Sequence, residues 1–260
     1  MNKSKSNEDI AVVFDLENTL VETPPWSSCQ QRLEFRRKTK QKLIDLGIPA
    51  SVLAGIERTT ILRNKASEYA EHKFRKTEAA KFKREMEKFL SPYELDSARK
   101  SKLFADTTPT LKNIRRLGLR MALVTNTSAK AVNFILKTFG LELYFDIAIT
   151  REDTRKLKPD PEGVLLALKR LHVKTFFLVG DLIYDVIAAR RANGVSILVR
   201  RPEQSDSQDQ FVALPAEFQE IAKGIPREKL SFEPDYVVQS LEEIPAIIRK
   251  RMKLNTRGAI

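Results

Sequence analysis

Short apolar runs alternate with helical patterns along most of this chain, and the alternation restricts its fold more than any other feature. Six runs predict strands, at residues 10–14, 119–125, 145–150, 175–179, 196–199 and 236–238. The patterns between them place apolar residues three or four apart, as one face of a helix requires, at residues 109–117, 129–139, 161–171 and 184–192. Such alternation predicts parallel strands joined by right-handed crossovers, and the continuous apolar runs predict a sheet covered on both faces. The predicted fold class is α/β, with a doubly wound, Rossmann-like parallel sheet.

The interval between the first two predicted strands does not show this alternation of strands and helices. It contains no convincing strand, and its patterns predict four helices, at residues 29–46, 49–64, 65–90 and 92–104. We therefore predict a core domain of residues 1–21 and 106–260, with an all-helical domain of residues 22–105 inserted after the first strand. A second irregular segment, residues 200–234, is polar and rich in turn residues. It is predicted to be a surface excursion with one helix at 216–223.

Composition and charge exclude several classes of protein. A hydrophobic fraction of 42% is ample for a packed core, and a single cysteine excludes an internal disulfide framework. The chain has a polar N-terminus and no run of about 18 apolar residues, so we expect a soluble, cytoplasmic protein with no membrane partner. The net charge is +12, and residues 22–105 contain 19 Lys and Arg against 11 Asp and Glu. This surplus favours anionic ligands, although a solvated helical surface explains it more simply, and no aromatic-and-glycine motif supports nucleic-acid binding.

Polar residues capable of chemistry follow the carboxyl ends of the predicted strands. In chain order they are Asp15, Glu17, Thr125, Asn126, Lys158, Asp181 and Asp185. The carboxyl ends of parallel strands meet at one edge of a sheet, where ligands bind. Crowded carboxylates require a cation among them, and Mg²⁺ prefers carboxylate and phosphate oxygens. The pattern therefore predicts phosphoryl transfer to a carboxylate nucleophile, with Mg²⁺ as cofactor and with a lysine and a threonine near the phosphoryl oxygens.

The ordered segments FDLENTL, LVTNT, KPDP and VGDLIYD resemble the haloacid dehalogenase (HAD) superfamily of phosphohydrolases. Within it, the chain is similar to the phosphoglycolate-phosphatase-like branch, whose helical cap is inserted after the first strand. The resemblance covers nearly the whole chain. It implies a Mg²⁺-dependent phosphatase that acts on a small phosphorylated metabolite, either a phosphomonoester or an acyl phosphate. It also implies that residues 22–105 are the cap.

Four acidic residues take their roles from this resemblance. Asp15 matches the family nucleophile, which also binds Mg²⁺. Glu17 stands at the position of the general acid/base, whose backbone carbonyl is a further metal ligand. Asp181 matches a direct metal ligand, and Asp185 matches a second acidic position that binds the metal or its water.

Three other residues match the phosphate-binding positions of the family. Thr125 matches the hydroxyl that binds the phosphoryl group, with help from the backbone amide of Asn126. Lys158 matches the lysine that holds both the phosphoryl group and the nucleophile. Structural alternatives stand beside these roles, because Thr125 could cap the next helix and Lys158 could be solvated in a basic loop.

Position 17 departs from the family pattern, which has aspartate there and glycine after it. Here the segment reads Asp15-Leu16-Glu17-Asn18. The extra methylene moves the carboxyl group by about 1.3 to 1.5 Å, and a misplacement of about 1 Å can cost about a hundredfold in rate. The chain could therefore be an ordinary or slow phosphatase, one restricted to good leaving groups, or a catalytically weak protein that binds metal or phosphoanions. A third hypothesis, nucleic-acid binding through the basic cap, is less favoured.

Overall fold

The computed structural model describes residues 9–23, 29–202, 215–222 and 232–257. In chain order the strands and helices are β1 (Ile10–Phe14), β2 (Val21–Glu22), α1 (Cys29–Asp45), α2 (Thr59–Lys73), α3 (Lys76–Arg99), β3 (Lys102–Leu103), α4 (Thr107–Arg116), β4 (Arg120–Val124), α5 (Ala129–Phe139), β5 (Ile147–Ile149), α6 (Glu162–Leu171), β6 (Thr175–Gly180), α7 (Ile183–Arg191), β7 (Val195–Val199), α8 (Pro215–Ala222), β8 (Tyr236–Val238) and α9 (Ile244–Arg257). Single short 3₁₀ turns lie at Ala50–Leu53, Glu142–Tyr144, Arg151–Asp153 and Leu241–Glu243.

Six strands form one sheet in the order β5-β4-β1-β6-β7-β8, and every neighbouring pair is parallel. The predicted α/β fold class and all six predicted strands are therefore confirmed. The chain runs from β1 to one side of the sheet and then crosses to the other side at β6, so the strand order reverses beside β1. In open parallel sheets this reversal leaves a crevice at the carboxyl ends of the strands, where ligands bind.

Alternate residues of β1 point to opposite faces of the sheet, and both faces are covered. Val12 and Phe14 belong to a cluster that includes apolar residues of α4, α5 and α9. Ala11 and Val13 belong to a second cluster with residues of α6 and α7. Burial on both sides explains why the strand is continuously apolar rather than alternating. Asp15, the polar residue that follows Phe14, is therefore an exception to the apolar sequence of this strand.

Helices α1, α2 and α3 lie between β2 and β3, in the interval predicted to form the cap, and they are called the cap helices below. They surround their own apolar cluster, which includes Leu43, Leu62 and Met86 and extends to Tyr184 and Ile187 of α7. The strands β2 and β3 pair antiparallel where the chain leaves and re-enters the sheet region, a pairing that the sequence analysis missed. The domain boundaries at 21/22 and 105/106 stay a prediction.

The prediction of four helices in this interval is wrong, because its described residues, 22–23 and 29–105, form three α-helices. Helix α2 continues to Lys73, and the break lies at Phe74 and Arg75, where the Glu78 carboxylate accepts the Arg75 N–H at 2.8 Å. This contact satisfies a free donor at the start of α3. The second error concerns Pro92, which lies inside α3 rather than at a helix boundary.

Tertiary packing explains why α3 continues through Pro92. A proline inside a helix removes one backbone hydrogen bond. The rings on either side of it, Phe89 and Tyr93, both pack against Phe35 of α1, with centroid distances of 6.3 and 5.1 Å. These contacts hold both halves of the helix in line, so packing overrides the local preference.

The predicted helix at 216–223 is present as α8, but it is not merely a surface excursion. Ile221 is buried in the cluster of the cap helices. The buried Glu217 carboxylate accepts the backbone N–H groups of Glu57 and Arg58, at 2.9 and 2.7 Å, at the start of α2. The rest of that segment, residues 203–214 and 223–231, lies outside the described residues. Among the helices of the described part, none is long and apolar enough to span a bilayer.

Candidate active site

The site begins at the residue that follows β1. Phe14 pairs with Leu123 of β4 on one side and with Val179 of β6 on the other, so all three strands end at the same level. The Asp15 N–H donates to the Val179 carbonyl at 2.9 Å, which extends the pairing by one residue. Asp15 therefore leaves the sheet at the point where the strand order reverses, and it is 8% exposed.

Lys158 links two of the predicted site residues. Its Nζ lies 2.7 Å from Asp15 Oδ1 and 2.6 Å from Asp185 Oδ1, and its side chain is buried. Burial alone would lower the pKa of this ammonium, but the charges of Asp15 and Asp185 outweigh burial and raise the pKa well above its ordinary value. Lys158 is therefore positively charged at any physiological pH, and the alternative of a solvated lysine is wrong.

Asp181 joins the same buried group, and one oxygen from each of Asp15, Asp181 and Asp185 lies within 4.8 Å of the others. Burial, together with the charges of Asp15 and Asp185, raises the pKa of Asp181 well above its ordinary value. Burial also raises the pKa of Asp185 to about 6, against the opposing effect of Lys158. Three carboxylates thus share one ammonium in a region from which water is largely excluded.

The donor set of this group fits a hard divalent cation. Asp181 Oδ1 is buried and has no hydrogen-bond partner among the residues that the structure describes. A buried polar oxygen without a partner is costly, and a cation would satisfy it. Carboxylate oxygens are the ligands that Mg²⁺ prefers. Asp15, Asp181 and Asp185 are the residues that would hold such an ion.

Asp185 depends on the absence of a side chain at Gly180, the last residue of β6. A Cβ atom at position 180 would overlap the Asp185 carboxyl group. The other carboxylate oxygen of Asp185 accepts the Leu182 N–H at 3.1 Å at the start of α7. Asp185 therefore caps a helix and binds Lys158 with the same carboxylate.

Glu17 lies next to this group, and the residue is partly buried. Its Oε2 accepts the Thr127 hydroxyl at 2.8 Å. Burial raises the pKa of Glu17 to about 7, with contributions from the charges of Glu94 and Asp15 and against the hydrogen bond from Thr127. The Glu17 carboxylate lies outside the group of three acids. The resemblance implies that Glu17 binds the metal through its backbone carbonyl, and that role stays a prediction.

The turn after Asp15 shows how the chain accommodates Asn18 where the family has glycine. Asn18 has a positive φ of 55°, a left-handed conformation that Asn tolerates better than most residues. Its side-chain oxygen accepts the backbone N–H and the hydroxyl of Thr23, at 3.2 and 3.0 Å. These contacts stabilise the turn that carries Glu17.

Thr125 and Asn126 follow β4 beside Asp15 and Lys158. Thr125 is buried, and its hydroxyl accepts the Thr127 N–H at 3.3 Å. The Asn126 side chain accepts the Lys158 N–H at 2.9 Å and donates to the Lys158 carbonyl at 3.1 Å. This contact to the backbone of Lys158 was not anticipated from the sequence. The predicted role of the Asn126 backbone amide in binding phosphate stays a prediction.

The cap contributes acidic side chains that sequence reasoning missed. Glu94 of α3 accepts the Ser128 N–H at 3.0 Å, just before α5, and forms an ion pair with Arg151. Arg151 is 2% exposed and also pairs with Glu87 of α3. No local signal identifies these residues, because each looks like a solvated charge until the cap packs on the sheet.

Comparisons with known proteins identify the family to which this chain belongs. The family model described as haloacid dehalogenase-like hydrolase matches residues 11–193. N-acetylmuramic acid 6-phosphate phosphatase from Pseudomonas putida is 28% identical over 73% of this chain and 82% of its own length. Phosphoglycolate phosphatase from Yersinia pestis is 29% identical over 70% of this chain and 76% of its own length.

Other matches are shorter or concern the fold alone. Pyrophosphatase PpaX from Bacillus velezensis is 38% identical, but over only 32% of this chain and 39% of its own length. The solved structures of an HAD phosphatase from Thermococcus onnurineus and a 2-haloacid dehalogenase from Pseudomonas syringae are each 22% identical, with TM-scores of 0.51 and 0.53. Each covers 92% of this chain, and the matches cover 97% and 98% of those structures.

Proposed function

This chain belongs to the haloacid dehalogenase-like hydrolases, and from that membership we propose that it is a phosphatase that forms a phosphorylated Asp15. The observation that carries the proposal is the buried group in which Lys158 bonds Asp15 and Asp185 while Asp181 Oδ1 has no partner among the described residues. The close contact of three carboxylates and an ammonium supports the roles of nucleophile, phosphoryl-binding group and cation ligands that the proposal gives them. The names of the relatives, two phosphatases and a pyrophosphatase, support phosphate as the transferred group.

In the first step, a carboxylate oxygen of Asp15 attacks phosphorus and the bond to the leaving-group oxygen breaks. That oxygen takes a proton from Glu17, whose pKa of about 7 leaves a protonated fraction near neutral pH. The products are an aspartyl phosphate on Asp15, an ionised Glu17 and the free alcohol or acid.

In the second step, Glu17 accepts a proton from water as the water oxygen attacks phosphorus. The bond between phosphorus and Asp15 breaks, inorganic phosphate leaves, and both carboxyl groups return to their starting states. Lys158 and the Thr125 hydroxyl bind the phosphoryl oxygens, where negative charge accumulates in both steps. Bound at Asp15, Asp181 and Asp185, Mg²⁺ would supply the further positive charge that an anionic substrate requires beside these carboxylates.

Hydrolysis of a generic aryl phosphate tests this proposal. We expect turnover that a chelator removes and added Mg²⁺ restores, and that falls to background in Asp15→Asn. Asp235→Asn is the matched control, because its carboxylate bonds Ser196 at the amino end of β7, at the opposite edge of the sheet. Turnover that persists in Asp15→Asn, or that needs no metal, contradicts the proposal.

The position of Glu17 supports a second candidate, a catalytically weak protein that binds phosphoanions. Its carboxylate is one methylene longer than the family aspartate and bonds Thr127 rather than the Asp15 group. On this hypothesis, Glu17→Asp raises turnover, while Mg²⁺ with beryllium fluoride stabilises the wild type to thermal unfolding. The phosphatase hypothesis expects the opposite, a loss of turnover in Glu17→Asp.

The choice of substrate is open to a direct screen. The relatives carry the names of different substrates, and α2 and α3 contact the loops that follow β4 and β5 beside the site. A panel of phosphorylated metabolites, assayed by phosphate release, identifies the leaving group that this cap accepts.

A further inference from the structure

Two side-chain amides hold the backbone of the loop that carries Lys158, which lies between β5 and α6. Asn64 of α2 donates to the Leu157 carbonyl and accepts the Leu157 N–H, both at 2.8 Å. Asn126 makes the same pair of contacts to Lys158, the next residue, at 3.1 and 2.9 Å. One amide belongs to the cap and the other to the sheet domain, so adjacent residues of this loop are held from both sides.

We propose that Asn64 is a positioning residue through which the cap sets the location of the Lys158 ammonium. The inference rests on the proposed function, because it assigns Lys158 a part in phosphoryl transfer. A carboxamide offers N–H donors and a carbonyl acceptor in the same plane, so it can pair with both backbone groups of one residue. Asn64 therefore pairs with Leu157 as a β-strand would, although the loop lies outside the sheet.

Packing alone does not hold the loop at this point. A cavity of about 260 Å³ lies between α2, α3 and the loop, and both Asn64 and Leu157 line it. The other polar contacts from the described cap helices to this loop lie several residues earlier, where Glu87 and Glu94 pair with Arg151 and the Lys83 ammonium donates to the Glu152 carbonyl at 3.1 Å. Next to Lys158, the Asn64 carboxamide is the cap group that fixes the backbone within the described part of the chain. The Leu157 carbonyl also accepts the Asp160 N–H within the loop itself, at 2.9 Å.

The location of Lys158 matters because its Nζ must reach Asp15 and Asp185 together, at 2.7 and 2.6 Å. A shift of about 1 Å in a catalytic group can cost about a hundredfold in rate. If the cap moves away from the sheet domain, the Asn64 contact breaks and one of the two amide pairs is lost. The lysine is thus held fully only when the cap lies against the sheet domain.

Two variants of Asn64 test the proposal, with Lys65→Gln as the matched control. Asn64→Leu removes both hydrogen bonds, whereas Asn64→Asp keeps the acceptor for the Leu157 N–H and the shape of the side chain. Lys65→Gln weakens a different contact of α2, the 2.5 Å ion pair with Glu220 of α8. We expect kcat to fall about a hundredfold in Asn64→Leu and about tenfold in Asn64→Asp, with KM changed by less than about threefold, and near wild-type kcat in Lys65→Gln.

Amide hydrogen exchange supplies a readout that needs neither substrate nor metal. We expect the Leu157 amide to exchange at least about tenfold faster in Asn64→Leu, while amides of β1 and β6 keep their protection. Wild-type kcat in Asn64→Leu, an equal loss in Lys65→Gln, or a fall in kcat without faster exchange at Leu157 overturns the proposal. If the wild type hydrolyses no phosphate ester, the proposed function fails. The role of Asn64 in holding the loop is tested separately, because unchanged exchange of the Leu157 amide in Asn64→Leu refutes it whether or not the protein is a phosphatase.

Discussion

The variant Asp181→Asn removes one of three buried carboxylates that share the single ammonium of Lys158. Asparagine keeps the size and shape of the side chain but carries no charge. In the absence of a divalent cation, the negative charge of Asp181 is repelled by Asp15 and Asp185, and these repulsions contribute to its raised pKa. We therefore expect the variant, measured in chelator, to be more stable than the wild type at alkaline pH.

The distance between the carboxylates sets the size of the effect. Their oxygens lie within 4.8 Å of one another, and two unit charges at 4.8 Å repel by about 3.5 kcal/mol at an effective dielectric constant of about 20. Attraction to Lys158 offsets part of this repulsion, and a protonated Asp181 avoids it altogether. We expect the free energy of unfolding of Asp181→Asn to exceed that of the wild type by about 1 to 3 kcal/mol at pH 8.

The sign of the pH dependence follows from the direction of the pKa shifts. Asp185 has a pKa of about 6 in the folded state, and the pKa of Asp181 is also raised. Both groups bind protons more tightly in the folded state than in the unfolded state. Their contribution to stability is therefore complete below about pH 4, the pKa of aspartate in the unfolded chain. It is lost as pH rises through 6 and above. At pH 5 the variant and the wild type should therefore differ by less than about 1 kcal/mol.

Thermal unfolding at pH 5 and pH 8, in chelator and in Mg²⁺, measures this prediction. For a chain of this size, 1 kcal/mol corresponds to about 2–4 °C in Tm. Mg²⁺ should raise the Tm of the wild type at pH 8 and have little effect on Asp181→Asn. Asp146→Asn is the control, because that carboxylate bonds the Met121 N–H and Arg120, and its loss should be destabilising at both pH values. The reasoning is refuted if Asp181→Asn is less stable than the wild type at pH 8 in chelator and if Mg²⁺ raises its Tm as much as it raises the Tm of the wild type.

Three further predictions concern Glu17, Gly180 and Glu217. The pKa of Glu17, about 7, predicts that hydrolysis of alkyl phosphates declines above pH 7, because this acid loses its proton there. The charge of Glu94 raises the pKa of Glu17, so Glu94→Gln should move the decline to lower pH. Gly180→Ala should lower kcat about a hundredfold, because the added Cβ displaces Asp185. Glu217→Ala should lower the free energy of unfolding by about 1–3 kcal/mol in a denaturant titration, because two backbone N–H groups at the start of α2 lose their buried acceptor.

Matched measurements separate these effects from general damage. Aryl phosphates need little help from an acid, so their pH profile should change least in Glu94→Gln. Gly140→Ala is the control for Gly180→Ala, because it carries only the backbone strain of a left-handed position with open space around it. An unshifted pH profile, full activity in Gly180→Ala or full stability in Glu217→Ala would contradict the corresponding prediction.

The sequence predicted the sheet well because each strand carries its own local signal. Burial on both faces requires continuously apolar strands, so Ile10–Phe14 and Thr175–Gly180 were visible as such. The change to polar residues at Asp15 and Asp181 marked the ends of these strands. Helix boundaries in the cap were predicted less well, because contacts of Phe35 with residues on both sides of Pro92 outweigh the local preference of proline.

Local pattern determined which residues leave the strands as polar groups, and only tertiary structure decided which of them meet. The pairing of Phe14 with both Leu123 and Val179 brings Asp15 beside the ends of β4 and β6, and this pairing is not encoded in either segment alone. The contact of Asn64 with Leu157 joins residues 93 positions apart. A hydrogen-bonding side chain on a helix looks the same in sequence whether it faces solvent or a distant loop. Such contacts depend on how the cap packs against the sheet, and that is a property of the folded chain as a whole.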